Sequence, residues 1–462
     1  MKGKIYLYNS LTRKKEILKP ANKDSVSFYS CGPTVYWYQH VGNMRAYTAW
    51  DIIKRIMQYN NFHVNHVMNY TDVGHLENDA DTGEDKMEKA AKKESKSAKE
   101  IANYYLKFFQ DDFKKLNILN PSIWSKATEH IKDQIELIKK LEKNRVIYKT
   151  SEGVYFNSSK FKGYEKLAKL NIKELKAGKR IDLGEKKHKT DFALWKFSEE
   201  PGKRQQEWKS PWGVGFPGWH IECSAMSMKY LGETFDIHTG GLDHIPVHHT
   251  NEIAQSQAAT GKKFVNYWMH AGWLLFKGEK VSKSSGGLYT INDLEEQGFN
   301  ALEFRYLTLT KHYKKPLNFT IKNLEKSKET LTRLKNIISG LKEDKEINKK
   351  YIDEFQKAIN DDLNMPLAIQ ILWKLVRDVY AKGKIKTIAK MDEVLGLDLL
   401  KEEKISVPKD IQKLIEQREA ARNKKDWKLA DELRNKITEK GYKVDDASKG
   451  SLVKEIKDEK RV

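Results

Sequence analysis

The chain has 462 residues, too many for one hydrophobic core, which predicts several domains. Its 85 Lys and Arg against 64 Asp and Glu give a formal net charge of +21, which favours a polyanionic partner such as nucleic acid, with a solvated lysine-rich surface as the plainer alternative. The N-terminal segment lacks an apolar signal region and no apolar stretch approaches the ~20 residues of a membrane span, so we expect a cytoplasmic protein without membrane contacts.

The only two cysteines are Cys31 and Cys223. A single structural disulfide is improbable in a large, lysine-rich chain without an export signal. Reduced thiols in such a compartment more often serve metals or catalysis, so both cysteines are candidate functional residues.

Segment 28–43 places a thiol and an imidazole after a predicted strand. Residues 26–30 are β-prone, 31–33 interrupt the strand, and helical spacing of apolar residues follows at Ala46, Ala49, Trp50, Ile53 and Met57. Strand, loop and helix in this order are typical of a doubly wound nucleotide fold, in which phosphates bind at helix N-termini. There Gly42 permits close approach of a ligand and His40 can donate to a phosphate, although a capping or core role for His40 is the simpler alternative.

A second predicted core strand, 64–73, ends at Thr71 and Asp72, which places both residues at the ligand edge of the sheet. Two amphipathic helices follow, at 98–116 and from 131 to 144. Short strands and basic loops then continue to residue 189, a segment that we interpret as an insertion.

The second half of the nucleotide fold begins with a predicted strand, 235–241, that ends in two glycines. Asp243 follows Gly241, and an acidic side chain past a glycine pair suits a ribose hydroxyl, although an ordinary turn is an alternative. A lysine-containing loop with Lys280 and Lys283 comes later. From residue 302 the pattern is helical; Asn364 is a predicted helix cap, 406–408 a linker, and Gly441 the end of two short helices.

A metal centre is predicted from both thiols with His248 and Glu252. These two residues are four apart, so on a helix they share a face and can reach one ion. Sulfur, nitrogen and oxygen donors together suit Zn²⁺. His244 and His249 compete with His248 for the nitrogen position, and the sequence pattern leaves that choice open.

Five motifs, taken together, resemble those of the cysteinyl-tRNA synthetases, a family of class I aminoacyl-tRNA synthetases. They are Cys31-Gly-Pro-Thr-Val-Tyr36, His40-Val-Gly-Asn43, Gly218-Trp-His-Ile-Glu-Cys-Ser-Ala-Met226, His248-His-Thr-Asn-Glu-Ile-Ala-Gln255 and Lys280-Val-Ser-Lys-Ser284. The resemblance implies an α/β fold: a Rossmann-like catalytic domain with an insertion, then an all-α helical bundle and a small C-terminal anticodon-binding module. The implied domains are 1–128 (catalytic, first half), 129–205 (insertion), 206–265 (catalytic, second half), 266–315 (linking region), 316–403 (bundle) and 404–462 (anticodon module).

The resemblance also implies an activity. It is the ATP-dependent conversion of L-cysteine to cysteinyl-adenylate, followed by transfer to the 3′ end of tRNA(Cys). The expected cofactor is one Zn²⁺ per chain, with Mg²⁺ accompanying ATP as substrate, and a monomer is the expected assembly. Because cysteine and serine are nearly isosteric, zinc is expected to select the thiol without a separate editing domain.

Site residues carry over by position. The resemblance implies catalytic roles for His40, Asn43, Lys280 and Lys283. It implies ATP contacts from His40, Asn43 and Lys283 of this group, and also from Gly42, Gly241 and Asp243. The implied cysteine contacts are Cys31, Gly32, Thr71, Trp219 and His248. It places anticodon contacts at Arg422, Trp427, Asp431 and Asp446. Asn43 departs from the family, which has a second histidine there, and Val41 and Val281 replace Ile and Met.

Two rival interpretations remain at this level. A mycothiol-type cysteine ligase shares the zinc and adenylate chemistry but lacks the anticodon module, so residues 404–462 argue against it. The other is a non-catalytic tRNA-binding protein that derives from a synthetase and has lost its catalytic residues. The intact signature residues argue against such a loss.

Overall fold

The computed structural model describes residues 3–74, 85–169, 185–280, 287–342, 344, 346–401, 408–447 and 450–455. The chain forms two compact units, the first from residues 1–328, 355–369 and 393–395 and the second from 329–354, 370–392 and 396–462. The predicted division into six parts stays a prediction.

The described strands, in chain order, are β1 (Tyr6–Asn9), β2 (Lys14–Ile17), β3 (Ser25–Ser30), β4 (His63–Tyr70), β5 (Ile123–Lys126), β6 (Ile147–Lys149), β7 (Gly153–Phe156), β8 (Phe192–Phe197), β9 (Trp208–Ser210), β10 (Gly213–Pro217), β11 (Phe235–Gly241), β12 (Val265–Ala271), β13 (Leu274–Phe276), β14 (Glu279–Lys280), β15 (Leu317–Phe319), β16 (Tyr442–Ala447) and β17 (Gly450–Glu455). The described α-helices are α1 (Val41–Tyr59), α2 (Lys86–Glu94), α3 (Ala98–Lys115), α4 (Ile131–Lys143), α5 (Trp219–Leu231), α6 (Thr250–Thr260), α7 (Ile291–Glu296), α8 (Ala301–Leu309), α9 (Ile321–Ser339), α10 (Lys349–Asn360), α11 (Met365–Arg377), α12 (Lys384–Leu395), α13 (Lys409–Asn423) and α14 (Trp427–Glu439).

A parallel five-stranded sheet in the order β12-β11-β3-β4-β5 is the core of the first unit. The predicted strands near 26–30, 64–73 and 235–241 all lie in it. Both faces of β3 are covered, and Val26, Phe28 and Tyr29 are each 0% exposed, as in sheets packed between helices. The predicted α/β nucleotide fold is therefore confirmed, and the carboxyl ends of its strands meet at one edge.

Helix α1 follows β3 and is fixed by buried charges. The Asp51 carboxylate accepts hydrogen bonds from Arg55 Nε at 2.7 Å and from Arg305 Nη2 at 2.5 Å. A buried carboxylate needs such partners, since an unpaired charge in the interior is costly. The triad anchors the second half of α1 against α8, which carries Arg305.

An antiparallel sheet in the order β6-β7-β8-β10-β9 interrupts the parallel core. Its last strand in the sequence ends at Pro217, so the sheet extends past the predicted boundary at residue 205. Directly afterwards, a Cβ at Gly218 would lie 2.0 Å from Ala193 O, which only glycine avoids. The insertion therefore leads straight into α5, which carries Cys223.

The helical C-terminal half matches the predicted pattern except at β15 and at the antiparallel pair β16–β17, which the helical pattern did not predict. Asn364 caps α11 by accepting from Leu367 N at 3.3 Å. The short strand β15 was not predicted, because three residues are too few for a periodic signal. In the second unit, Gly441 follows α14 with φ 85°, the left-handed conformation that ends many helices. Among the described helices none has the length and apolar character needed to cross a bilayer.

Candidate active site and metal centre

A cavity of about 630 Å³ opens at the carboxyl edge of the parallel sheet. Its lining brings together twelve of the predicted site residues: Cys31, Gly32, His40, Gly42, Asn43, Thr71, Trp219, Cys223, Gly241, Asp243, His248 and Lys280. Glu252 lies buried behind His248, and Lys283 lies outside the described residues. Residues from the loop after β3, from α1, from α5 and from the end of β11 thus converge on one cleft.

Four buried side chains form the predicted metal set. Cys31 follows β3, Cys223 lies in α5, His248 lies in a π-helical turn, Ile245–His249, and Glu252 lies in the first turn of α6. Their donor atoms all lie within 4.8 Å of one another. The two sulfurs are 3.9 Å apart, and His248 Nε2 is 2.9 Å from Glu252 Oε1. Two sulfurs at about 2.3 Å from one tetrahedral zinc would be about 3.8 Å apart, so these residues fit Zn²⁺.

A second candidate set shares Cys31 and Glu252 but uses His238 and His249. His238 Nε2 lies 2.8 Å from Glu252 Oε2, the carboxylate oxygen that faces away from His248. His249 Nε2 lies 3.5 Å from Cys31 Sγ. His244, the other competitor in the sequence, belongs to neither set. Only the first set contains both thiols, the softest donors in the chain.

Ionisation within the first set favours a cation. Burial raises the pKa of Cys31, whereas the hydrogen bond that Cys31 donates to Cys223 lowers the pKa of Cys223 to about 6. Burial would lower the pKa of His248, but Glu252 and Cys223 together outweigh it and raise that pKa to about 10. Burial opposes ionisation of Glu252, yet His238 and His248 hold its pKa well below the usual value. Without a metal the cluster therefore holds a thiolate and a carboxylate beside a protonated His248, and a bound cation would take the place of that proton.

Further histidines that sequence reasoning missed support these ligands. His220 Nδ1 lies 3.0 Å from His248 Nδ1, and the Trp219 ring stacks on His248 with centroids 4.3 Å apart. Partners of this kind fix the orientation of a ligand ring. Only the position of His220 next to Trp219 in the motif hinted at this role. Nothing in the sequence marks His238 as a partner of Glu252.

His40 caps α1 and keeps one ring nitrogen for a ligand. Its Nδ1 accepts the Gly42 N–H at 3.0 Å, so Nε2 carries the proton of the neutral ring and can donate. Burial, with a contribution from Lys280, lowers the pKa of His40 to about 4, so the ring is neutral near pH 7. A Cβ at Gly42 would lie 2.8 Å from this ring, which explains the glycine. The capping role considered from the sequence is therefore present, together with a free donor.

A carboxylate and an ammonium group face each other at the edge of the cavity near His40. Lys280 Nζ lies 3.6 Å from Asp243 Oδ2, and Asp243 accepts a hydrogen bond from Trp273 Nε1 at 3.3 Å. Both charged side chains are half exposed, so the pair is weak and either partner can turn to a ligand.

Two polar groups shape the pocket beside the thiols. Thr71 Oγ1 donates to Glu222 Oε2 at 2.9 Å, and Gly32 N donates to Asn69 Oδ1 at 2.9 Å. A Cβ at Gly32 would lie 1.6 Å from Asn69 O. Gly32 therefore lets the chain turn tightly after β3, which brings Cys31 into the cavity.

The predicted anticodon residues belong to the second unit. Trp427 is 57% exposed, and the Arg422 guanidinium carbon lies 5.7 Å from the centroid of its ring. Asp431 is exposed on the same helix, α14. Asp446 lies on β16, but its side chain lies outside the described part of the chain.

Comparisons with known proteins agree with this architecture. Residues 17–329 match the family model of the tRNA synthetases class I (C) catalytic domain, and residues 406–451 match that of the cysteinyl-tRNA ligase anticodon binding domain. Cysteine--tRNA ligase 1 of Burkholderia lata is 45% identical, covering 96% of this chain and 96% of its own length. The Cysteine--tRNA ligase of Treponema denticola is 42% identical over 96% of this chain and 98% of its own.

A solved structure supports the fold at greater distance. The methionyl-tRNA synthetase of Mycobacterium tuberculosis in complex with methionyl-adenylate superposes with a TM-score of 0.57 at 15% identity, covering 81% of this chain and 90% of the other. With two family models and full-length relatives above 40% identity in agreement, the chain belongs to the cysteinyl-tRNA synthetase family of class I aminoacyl-tRNA synthetases.

Proposed function

We propose that this chain activates L-cysteine with ATP to cysteinyl-adenylate and transfers it to the 3′ end of tRNA(Cys). One observation carries the proposal. The four-donor set of Cys31, Cys223, His248 and Glu252 adjoins the same cavity as the His40–Asn43 motif and the Asp243–Lys280 pair. A thiol-selective metal site beside a nucleotide site matches the two substrates of that first step.

The metal set accounts for the choice of cysteine over serine. A pocket that discriminates by size alone reaches only about 10–200-fold for groups this similar. A bound Zn²⁺ would supply a soft Lewis acid that accepts the substrate thiolate far better than the harder, less acidic hydroxyl of serine. Thr71 and Trp219, which line the same cavity, would position the amino acid, and Trp219 also holds the His248 ring.

The residues around His40 and Lys280, at the proposed ATP-binding edge of the cavity, would stabilise the charge that develops on the phosphates. His40 Nε2–H and the Asn43 amide are donors at the start of α1, where the helix dipole favours anions. Lys280, and Lys283 by the resemblance of its motif, would neutralise the departing pyrophosphate, with Mg²⁺ accompanying ATP. Gly241 and Asp243 would contact the ribose.

Recognition of tRNA(Cys) would rest on the C-terminal module. Unpaired bases stack on exposed aromatic rings, and Arg and Asp hydrogen-bond base edges. Arg422, Trp427, Asp431 and Asp446 are the proposed contacts, and the first three are on described side chains of α13 and α14.

Two assays on the purified chain test the proposal. We expect cysteine-dependent exchange of pyrophosphate into ATP, with serine inactive, and then charging of tRNA(Cys). Exchange without charging, together with ligation of cysteine to an amino sugar, would indicate the mycothiol-type ligase. Binding of tRNA without exchange would indicate a non-catalytic relative, and either outcome would overturn the proposal.

A further inference from the structure

Five aromatic side chains form a continuous group at one side of the cavity. This aromatic rim consists of Trp37, Tyr38, Tyr104, Tyr105 and Phe108. Tyr38 contacts Tyr105 and Phe108 edge to face, each with centroids 4.9 Å apart, and Trp37 lies 5.7 Å from both Tyr38 and Tyr105. The Tyr38 and Tyr104 hydroxyls are 3.3 Å apart. The loop before α1 is thereby joined to α3, and the rim has a fixed shape.

Part of the rim faces solvent, although aromatic rings usually lie inside. Trp37 is 47% exposed and Tyr104 is 39% exposed, while Tyr105 beneath them is 3% exposed. Trp37 and Tyr38 also line the cavity. Two large exposed rings thus stand on a buried support, and one of them, Trp37, borders the candidate active site.

Lysines lie over both exposed rings. Lys93 Nζ is 5.2 Å from the centroid of Trp37, and Lys96 Nζ is 4.4 Å from that of Tyr104. Lys96 also pairs with Glu94 at 3.0 Å, and Glu94 accepts from the Tyr105 hydroxyl. Lys93 is exposed on α2. Flat apolar faces beside cations fit a ligand that carries both planar bases and phosphates.

We propose that the aromatic rim receives the unpaired 3′ terminus of tRNA, with a base stacked on Trp37 and a phosphate on Lys93. This inference rests on the proposed function, which requires that terminus to reach the cavity. Charge complementarity favours RNA over an apolar peptide, since the rim is bordered by lysines on a chain of net charge +21. Trp37 is half exposed, which favours a ligand that lies partly outside the cavity. The purine of ATP would instead lie inside the cavity.

Binding of acceptor-stem hairpins to the full chain tests the inference without catalysis. One RNA probe carries the unpaired 3′ tail and a second, otherwise identical, ends flush with the duplex. We expect the tail to strengthen binding, and Trp37→Ala to weaken binding of the tailed probe by about 5- to 150-fold while leaving the flush probe unchanged. Trp37→Phe should retain most of the affinity. Tyr380→Ala, which removes a 91% exposed aromatic ring elsewhere, is the matched control and should change neither.

Two further measurements separate the alternatives. Lys93→Ala should reduce the slope of log affinity against log salt for the tailed probe by about one. Equal affinity of Trp37→Ala and wild type for the tailed probe, or equal loss for both probes, would overturn the proposal. So would a rise in the KM for ATP in pyrophosphate exchange as large as the rise in the KM for tRNA in charging. Failure of wild-type exchange would instead reject the proposed function, and the hairpin result would still decide the role of the rim.

Discussion

The sulfur atoms of Cys31 and Cys223 lie 3.9 Å apart although 192 positions separate the two residues in the chain. This spacing is about twice a disulfide bond of ~2.05 Å and close to that of two sulfurs on one zinc. Both thiols are buried, and His248 and Glu252 complete the group. Geometry and donor chemistry therefore favour a metal site over a structural crosslink.

Metal content tests this assignment directly. We expect one zinc per wild-type chain purified without chelator, and strongly reduced zinc in Cys223→Ser, because a hydroxyl is a poor substitute for thiolate. Elemental analysis by mass spectrometry measures both. His244→Ala, which changes a histidine outside both candidate sets, should keep its zinc. Zinc retained in Cys223→Ser but lost in His249→Ala would select the second set instead.

Loss of Lys280 should slow the chemical step. We expect Lys280→Ala, and likewise Lys283→Ala, to reduce the rate of adenylate formation by about 10²–10³-fold with little change in cysteine affinity, since a cation that meets transition-state charge contributes mainly to rate. Pre-steady-state pyrophosphate exchange separates these quantities. Lys143→Ala, an exposed lysine at the end of α4, is the control. A matching loss of cysteine affinity would assign the lysine to ground-state binding.

Trp427 should matter for tRNA and much less for the adenylate. We expect Trp427→Ala to lower the efficiency of tRNA(Cys) charging by about 5–150-fold, the range that loss of one base–aromatic stack gives. Exchange should fall far less, because Trp427 belongs to the second unit, whereas every residue that lines the cavity belongs to the first. Arg422→Ala should behave alike. If Trp427→Ala charges tRNA normally, the ring only packs, and the anticodon contacts lie elsewhere.

Asp112 predicts a pH dependence of stability outside the site. It is 7% exposed, and burial, with Glu295 and Asp111 nearby, raises its pKa to about 7. Between pH 4 and 7 the folded chain therefore holds a proton that the unfolded chain releases, so stability falls as pH rises through that window, by at most about 1.4 kcal/mol per pH unit. Asp112→Asn cannot ionise, and its melting temperature relative to wild type should be higher at pH 8 than at pH 5. A constant difference, like that expected for the exposed Asp353→Asn, would contradict this.

Local signals predicted much of the fold and one edge of the site. The strand before Cys31, its interruption at residues 31–33 and the helix near Gly42 follow from short-range periodicity and glycine chemistry, and β11 was predicted with its bounds. The order of the strands in the sheet was not predicted, because it depends on pairings such as that of Phe28 with Ile237, which no local pattern encodes. The sheet that interrupts the parallel core continues to β10 through long-range pairings of the same kind, such as that of Phe216 with Lys196.

The candidate site shows the same division. Helical spacing joined His248 to Glu252, but the residues alone left His244 and His249 as competitors. Only the fold reveals that His238 binds the far oxygen of Glu252 and that His220 contacts the ring of His248. Similarly, Trp37 and Tyr38 lie between two of the motifs, yet the contact of Tyr38 with Tyr104 comes from packing against α3 and has no sequence signature.

Strand β3 lies between β4, which follows it closely in the chain, and β11, which comes much later. The Asp236 carboxylate of β11 accepts a hydrogen bond from the backbone N–H of Ser27, 209 positions earlier in the chain. During synthesis the backbone edge of β3 that pairs with β11 therefore stays unpaired until the ribosome has made the whole insertion and α5. An uncovered strand edge of this kind can pair with other chains. Newly made N-terminal halves should consequently depend on chaperones, and early termination between the end of β4 and residue 235 should yield aggregating fragments, which sedimentation of truncated translation products would detect.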